Sequence, residues 1–80
     1  MTENLKQNNK IVGAKQVKRA LKESKVSKVY IAKDAEERVV SQIVQQCEEM
    51  HIPIINVESM SKLGDACGID INAAVAALLI

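Results

Sequence analysis

Aromatic side chains are almost missing from this 80-residue chain. It has no Phe and no Trp, and Tyr30 is the one ring. Proteins that stack unpaired bases need several exposed aromatics, so that mode of nucleic-acid binding is excluded. Glycine is scarce as well: Gly13, Gly64 and Gly68 are too few and too dispersed for either common Gly-rich phosphate loop. The two cysteines, Cys47 and Cys67, form no Cys-x-x-Cys pair, and His51 is the only histidine, so no metal site is expected. Both cysteines fall in apolar stripes, which reads as small core residues in a reducing compartment. Ser, Cys and His never group as a nucleophilic triad. No signal-peptide pattern opens the chain and no apolar run is long enough to span a bilayer. The expectation is a cytoplasmic protein with no membrane partner and no cofactor. Its length fits one domain with little room for a deep pocket.

Charge is plentiful and sorted by position. Residues 1–33 hold nine basic and two acidic side chains, so 9 − 2 gives +7, and residues 34–80 hold two basic and eight acidic, so 2 − 8 gives −6. The net charge of +1 hides that polarity. A concentrated basic segment beside an acidic remainder points to one face suited to phosphate; the alternative is an ordinary solvated helix face.

The apolar pattern alternates between helix and strand. Residues 1–10 are polar and read as a loose segment or a short helix, leaving residues 11–80 as a single domain. Ile11 and Val12 form a brief strand entering Gly13. From Ala14 to about Ser24 the spacing is helical: Ala14, Val17, Ala20 and Leu21 share one arc, and Lys15, Lys18, Arg19 and Lys22 share another. In the stretch from Val26 to Ala32, the continuous apolar run Val29-Tyr30-Ile31-Ala32 reads as a buried strand. Asp34 is placed to cap the next helix, with Glu37 completing a capping-box-like pair and Ala35, Val39, Val40, Ile43, Val44, Cys47 and Met50 facing inward. Ile52–Val57 is the next strand, with Pro53 tolerated at its start. Ser59 caps a short helix that turns Met60, Leu63 and Cys67 inward and ends at Gly68. Residues 69–72 form a loop. The alanines of 73–80 favour helix by propensity, but a short buried strand fits the alternating series better. The sum is an α/β/α layered domain.

Three candidate sites carry little chemistry. Capping explains Asp34. Glu36 and Glu37 are neighbours, so on a helix they diverge by about 100° and cannot act as a convergent acid–base pair. His51 lies between a helix and a strand and reads as a loop residue. The start of the basic helix is more informative: Gly13 permits a close backbone approach, and first-turn N–H groups point toward it. With no aromatics to spare, a nucleic-acid site must work through that helix on a folded target.

Gly13-Ala14-Lys15-Gln16, Ala32-Lys33-Asp34, Pro53 and Leu63-Gly64-Asp65-Ala66-Cys67-Gly68-Ile69, in this order and spacing, resemble the L-seven-Ae family of ribosomal and ribonucleoprotein proteins. The likeness runs from about residue 10 to residue 80 and is nearest to small bacterial ribosome-associated members. It implies a three-layer α/β/α sandwich around a four-stranded mixed sheet. It also implies binding to kink-turn RNA, a short bulge beside sheared G·A pairs that bends a duplex sharply. Carried over position by position, Gly13, Lys15, Gln16 and Arg19 meet the G·A edges and adjacent phosphates. Ile69, Asp70 and Ile71 pack over the flipped-out nucleotide, and Glu36 matches a position that reads a bulged base in some members. Lys15-Gln16 stands where archaeal and eukaryotic members have Asn-Glu. Lysine donates as a flexible point charge, and Gln16 cannot simply replace a carboxylate that accepts from guanine. Bacterial members resemble this chain here, which implies binding with altered preference or affinity. Met60 replaces a basic family position and removes one contact.

The expected function is therefore a non-catalytic one. A monomer stabilises kinked RNA, ribosomal or riboswitch, by binding only the bent form. Lys15, Lys18, Arg19 and Lys22 supply phosphate contacts, and Lys33 is a further candidate RNA-binding residue. Two other classes stand beside it: an adaptor that docks on the ribosome through its acidic half, around Glu48 and Glu49, and a small enzyme working near Asp34.

Overall fold

The computed structural model describes residues 9–68 and 72–80. Along the chain run β1 (Lys10–Val12), α1 (Ala14–Lys22), β2 (Val26–Ala32), α2 (Glu37–Met50), β3 (Ile54–Val57), α3 (Met60–Cys67) and β4 (Val75–Leu79). The sheet order is β1-β4-β2-β3. β4 runs antiparallel to both β1 and β2, while β2 and β3 are parallel. This is the mixed four-stranded sheet that the resemblance implies.

Side chains leave the sheet alternately to two half-cores, as strand geometry requires. Val29 and Ile31 of β2, with Val75 and Ala77 of β4, meet Val17, Ala20 and Leu21 of α1 and Ile43 and Cys47 of α2. Tyr30 and Ala32, with Ala76 and Leu78, meet Leu63 and Cys67 of α3 on the other face. Fully burying an aliphatic side chain such as Leu21 or Leu63 contributes about 1.5–3 kcal/mol. α1 forms readily because all but one of its residues are strong helix formers, Val17 being the exception.

β4 shows tertiary context overriding propensity. Its alanines would suit a helix, yet Ala76 and Ala77 are fully buried in a central strand. Small side chains there let helices approach the sheet from both sides.

Several boundaries differ from the sequence expectation. Asp34 does not cap α2. Residues 32–35 instead make a turn closed by the Ala35 N–H donating to the Ala32 carbonyl at 3.2 Å, and α2 starts at Glu37 with extended Glu36 before it. Ala35 accordingly packs against the α3 half-core and not with α2's inner face. β3 begins at Ile54; the Pro53 carbonyl still accepts from the Val29 N–H at 3.0 Å. α1 ends at Lys22, with Ser24 in the left-handed region at φ 56°. Ser59 does cap α3, accepting from the Lys62 N–H at 3.1 Å, and Gly68 ends it at φ 76°. The short-helix reading for the first residues falls largely on 1–8, outside the described residues.

Candidate nucleic-acid interface

β1, β2 and β3 point the same way, so their C-terminal ends share one end of the sheet with the start of β4. Backbone hydrogen bonds stitch this end together. The Gly13 N–H donates to the Val75 carbonyl at 2.9 Å, the Ala32 N–H to the Ala74 carbonyl at 2.9 Å, and the Lys33 N–H to the Val57 carbonyl at 2.8 Å. Asp34, misplaced by local reasoning, belongs to the same framework: its Oδ1 accepts from the Met60 N–H at 2.7 Å. The Met60 carbonyl in turn accepts from the Ala73 N–H at 3.1 Å. A carboxylate at a helix start satisfies an orphan donor and the positive end of the dipole, which explains why Asp34 serves α3. No sequence signal marks this pairing, because the partners lie 26 residues apart.

Gly13 sits at the turn from β1 into α1 at φ 110°, a conformation that L side chains rarely adopt. Gln16 folds back over it. A Cβ on Gly13 would lie 2.6 Å from Gln16 Oε1, so the glycine also makes room for the glutamine. Lys15 and Gln16 are both exposed. The first turn of α1 holds no acidic residue and has no side-chain cap.

The sheet end thus brings Gly13, Lys15 and Gln16 together with the β2–α2 connection that carries Lys33 and Glu36. Glu36 is exposed, and its carboxylate accepts from Arg38 Nη2 at 2.9 Å, so a ligand approaching it meets an ion pair. Lys33 lies within electrostatic range of Glu58. The Lys62 hydrogen bond to Glu58, Lys62's charge and then Lys33's charge hold that carboxyl below its ordinary range. Lys18, Arg19 and Lys22 descend α1 away from this end; Lys15 and Lys22 stand about 10 Å apart along the axis, at 1.5 Å per residue. Ile69, Asp70 and Ile71 lie outside the described residues.

Arg19 borders two clefts. On one side it adjoins Gln16, Ala20 and Glu23 beside β1. On the other it helps line a groove of about 500 Å³ between α1 and α2. Lys18 Nζ donates across that groove to Gln42 Oε1. The sequence reading missed the α2 wall of this groove; its signal was Gln42, Gln45 and Gln46 at helical spacing. Tyr30 is fully buried, so no ring is offered to a base, and burial raises its hydroxyl pKa. Among the described residues no group of His, Cys, Asp and Glu could hold a metal ion, and no helix is long and apolar enough to cross a membrane.

Residues 1–80 match the sequence model of the ribosomal protein L7Ae/L30e/S12e/Gadd45 family. The chain belongs to this family. A protein of Caldanaerobacter subterraneus subsp. tengcongensis described as an RNA-binding protein is 53% identical over 68 residues, which is 85% of this chain and 83% of that one. A second, from Halalkalibacterium halodurans and likewise described as RNA-binding, is 52% identical over the same shares. The RNA-binding protein YbxF of Geobacillus stearothermophilus is 41% identical over 69 residues, 86% of this chain and 84% of its own. Among solved structures, the Giardia lamblia 15.5kD RNA binding protein superposes with a TM-score of 0.89 at 24% identity, covering 99% of this chain and 67% of that one. A Bacillus halodurans protein of unknown function superposes with a TM-score of 0.86 at 22% identity, over 96% and 81%. At such identities the superpositions establish a shared L7Ae-type fold. The family assignment rests on the sequence match.

Proposed function

We propose that this L7Ae-family protein binds kink-turn RNA and holds it bent, without catalysing a reaction. The observation that carries the proposal is the open start of α1. Gly13 at positive φ brings backbone close to the surface, and Gln16 folds over it. Lys15 adds charge beside first-turn N–H groups, and Arg19 adds it further along the helix. Such a helix start suits a polyanion, with phosphates meeting the dipole and side chains reaching base edges. The RNA-binding descriptions of relatives more than half identical support RNA as that polyanion. Ribosomal RNA or a riboswitch in the cytoplasm would supply the element, and a monomer suffices.

The mechanism is a population shift. Free kink-turn RNA exchanges between extended and bent forms, and a protein that binds only the bent form moves the equilibrium by its differential affinity. Gln16 and Lys15 would discriminate bases, while Lys18, Arg19, Lys22 and Lys33 supply phosphate contacts whose strength falls with salt.

The test is energy transfer between the ends of a labelled kink-turn duplex titrated with protein, beside a duplex whose sheared G·A pairs are Watson–Crick pairs. The expected result is bending of the first RNA alone. Gln16→Ala should cut the preference between the two RNAs by about tenfold, the discrimination carried by one base contact, and leave the salt slope unchanged. Lys22→Ala should lower the slope by about 1 and leave the preference intact. Equal binding of wild-type protein to both RNAs would overturn the proposal and bring forward an adaptor role for the acidic half.

A further inference from the structure

The groove between α1 and α2 has no part in the proposed function beyond the lysines and Arg19 on its α1 rim. Both helices run back from the site end of the sheet, because each follows a strand that ends there. The groove therefore starts near Lys15 and leads away from Gly13 down the outer face. Its α1 wall is cationic. Its α2 wall carries Gln42, Gln45 and Gln46, and Glu49 is the only carboxylate in the lining.

That composition is selective. Glutamate at these α2 positions would pair with the facing lysines and close the groove as a surface salt-bridge network. Glutamine leaves the lysine charge uncompensated and adds neutral donors. Gln42 Oε1 already accepts from Lys18, so its amide nitrogen is the end left to donate outward. A strip of ammonium groups facing a strip of amide donors and acceptors matches a sugar–phosphate strand. The charges meet phosphates, and the amides meet phosphate oxygens and ribose 2′-hydroxyls. Glu49 sits where such a strand would meet like charge.

Resting on the kink-turn reading, we infer that the α1–α2 groove is a second RNA subsite, a track for the backbone of one duplex arm leaving the element held at Gly13. Gln42, Gln45 and Gln46 read its ribose hydroxyls, and Glu49 sets its far limit. RNA affinity then depends on arm length, and on ribose in that arm, at positions well away from the kink.

The experiment compares two kink-turn RNAs, one with both arms cut short and one with a single arm extended by a helical turn, each arm extended in turn. Dissociation constants are measured between 50 and 200 mM salt for wild-type protein, for Q42A/Q45A/Q46A and for Glu49→Gln. Alanine favours helix, so the triple variant should fold, and circular dichroism checks this. Wild-type protein should bind one extended RNA about tenfold more tightly than the short one. The triple variant should lose that gain, about tenfold for three weak neutral hydrogen bonds, with its salt slope unchanged because amides release no counterions. It should bind the short RNA as wild type does. Deoxyribose in the extended arm should reproduce the loss. Glu49→Gln should tighten binding of the extended RNA alone. Arm-independent wild-type binding, or a triple variant that keeps the gain, would overturn the subsite and leave the kink-turn reading standing. Failure of wild-type protein to bind even the short RNA would remove both.

Discussion

α1 and α3 begin at the same end of the sheet and begin in opposite ways. α3 is closed: the Met60 N–H donates to Asp34, the Lys62 N–H donates to Ser59, and Ser59 is in extended backbone. α1 is open: Gly13 supplies no capping side chain, φ is 110°, and the first turn carries Lys15 where a helix dipole favours an acid. A helix designed only for stability would start as α3 does. The difference separates a start that holds the framework together from one with no side-chain cap and a lysine in its first turn, the one proposed above to meet RNA. The open start costs stability in the free protein, which makes the contrast measurable.

The largest effect should come from Gly13→Ala. The new Cβ meets both an unfavourable φ and the Gln16 amide at 2.6 Å. Strain of this kind costs about 1–3 kcal/mol, which lowers Tm by roughly 4–8 °C per kcal/mol in a domain of this size. RNA binding should fall with it, since Gln16 must move. Gly68→Ala provides the control: φ is 76°, but nothing lies within 4 Å of the added Cβ. Its cost should be about 1–2 kcal/mol from the left-handed backbone alone.

Next in size, Ser59→Ala should remove about 1 kcal/mol through the lost cap. Cys47 and Cys67 report where that stability goes, because each is buried in one half-core. A thiol reagent should label Cys67 faster in Ser59→Ala while Cys47 stays protected, and RNA binding should not change. Equal acceleration at both thiols would show that the two halves open together.

Lys15→Glu sharpens the contrast from the other side. An acid in the first turn of α1 should stabilise the free protein by about 0.3–1 kcal/mol, read as a higher Tm. It should weaken RNA binding by about ten- to a hundredfold, the range for one specific contact. A variant that gained stability and kept its affinity would show that α1 is merely badly capped.

The smallest effect is the pH dependence. Burial pushes both thiols up, with Lys10 opposing this at Cys67, and burial also raises Tyr30. A folded-state pKa above the unfolded one gives stability that is complete below the unfolded value and lost as pH rises through the folded one. Denaturant midpoints should therefore be flat through neutrality and decline above the ordinary thiol range.

Much of this architecture was legible in local pattern. β2 and α3 follow from an apolar run and a Ser–Gly bracket, and both stripes of α1 are visible at helical spacing. β4 required the alternation of neighbouring elements to outweigh its alanines. What escaped was contact between distant residues. Asp34 looks like a cap for the helix next to it, and only the fold reveals that its donor is Met60. The folding of Gln16 over Gly13 and the glutamine wall opposite Lys18 are likewise properties of packed elements. The charge contrast between residues 1–33 and the rest located α1 as the place to look, but not the groove beside it.

The position of β4 has a consequence during synthesis. It is the last strand in chain order and lies at the centre, between β1 and β2. While the chain is being made, the earlier segments can coil into helices and pair β2 with β3, but β1 has nothing to pair with. The bond from Gly13 to Val75 cannot form until Val75 exists. Such long-range pairing is slow because distant segments must meet first. A nascent chain therefore carries the whole basic helix without the geometry that aims it, and the corner where β1 turns into α1 is completed only when β4 pairs.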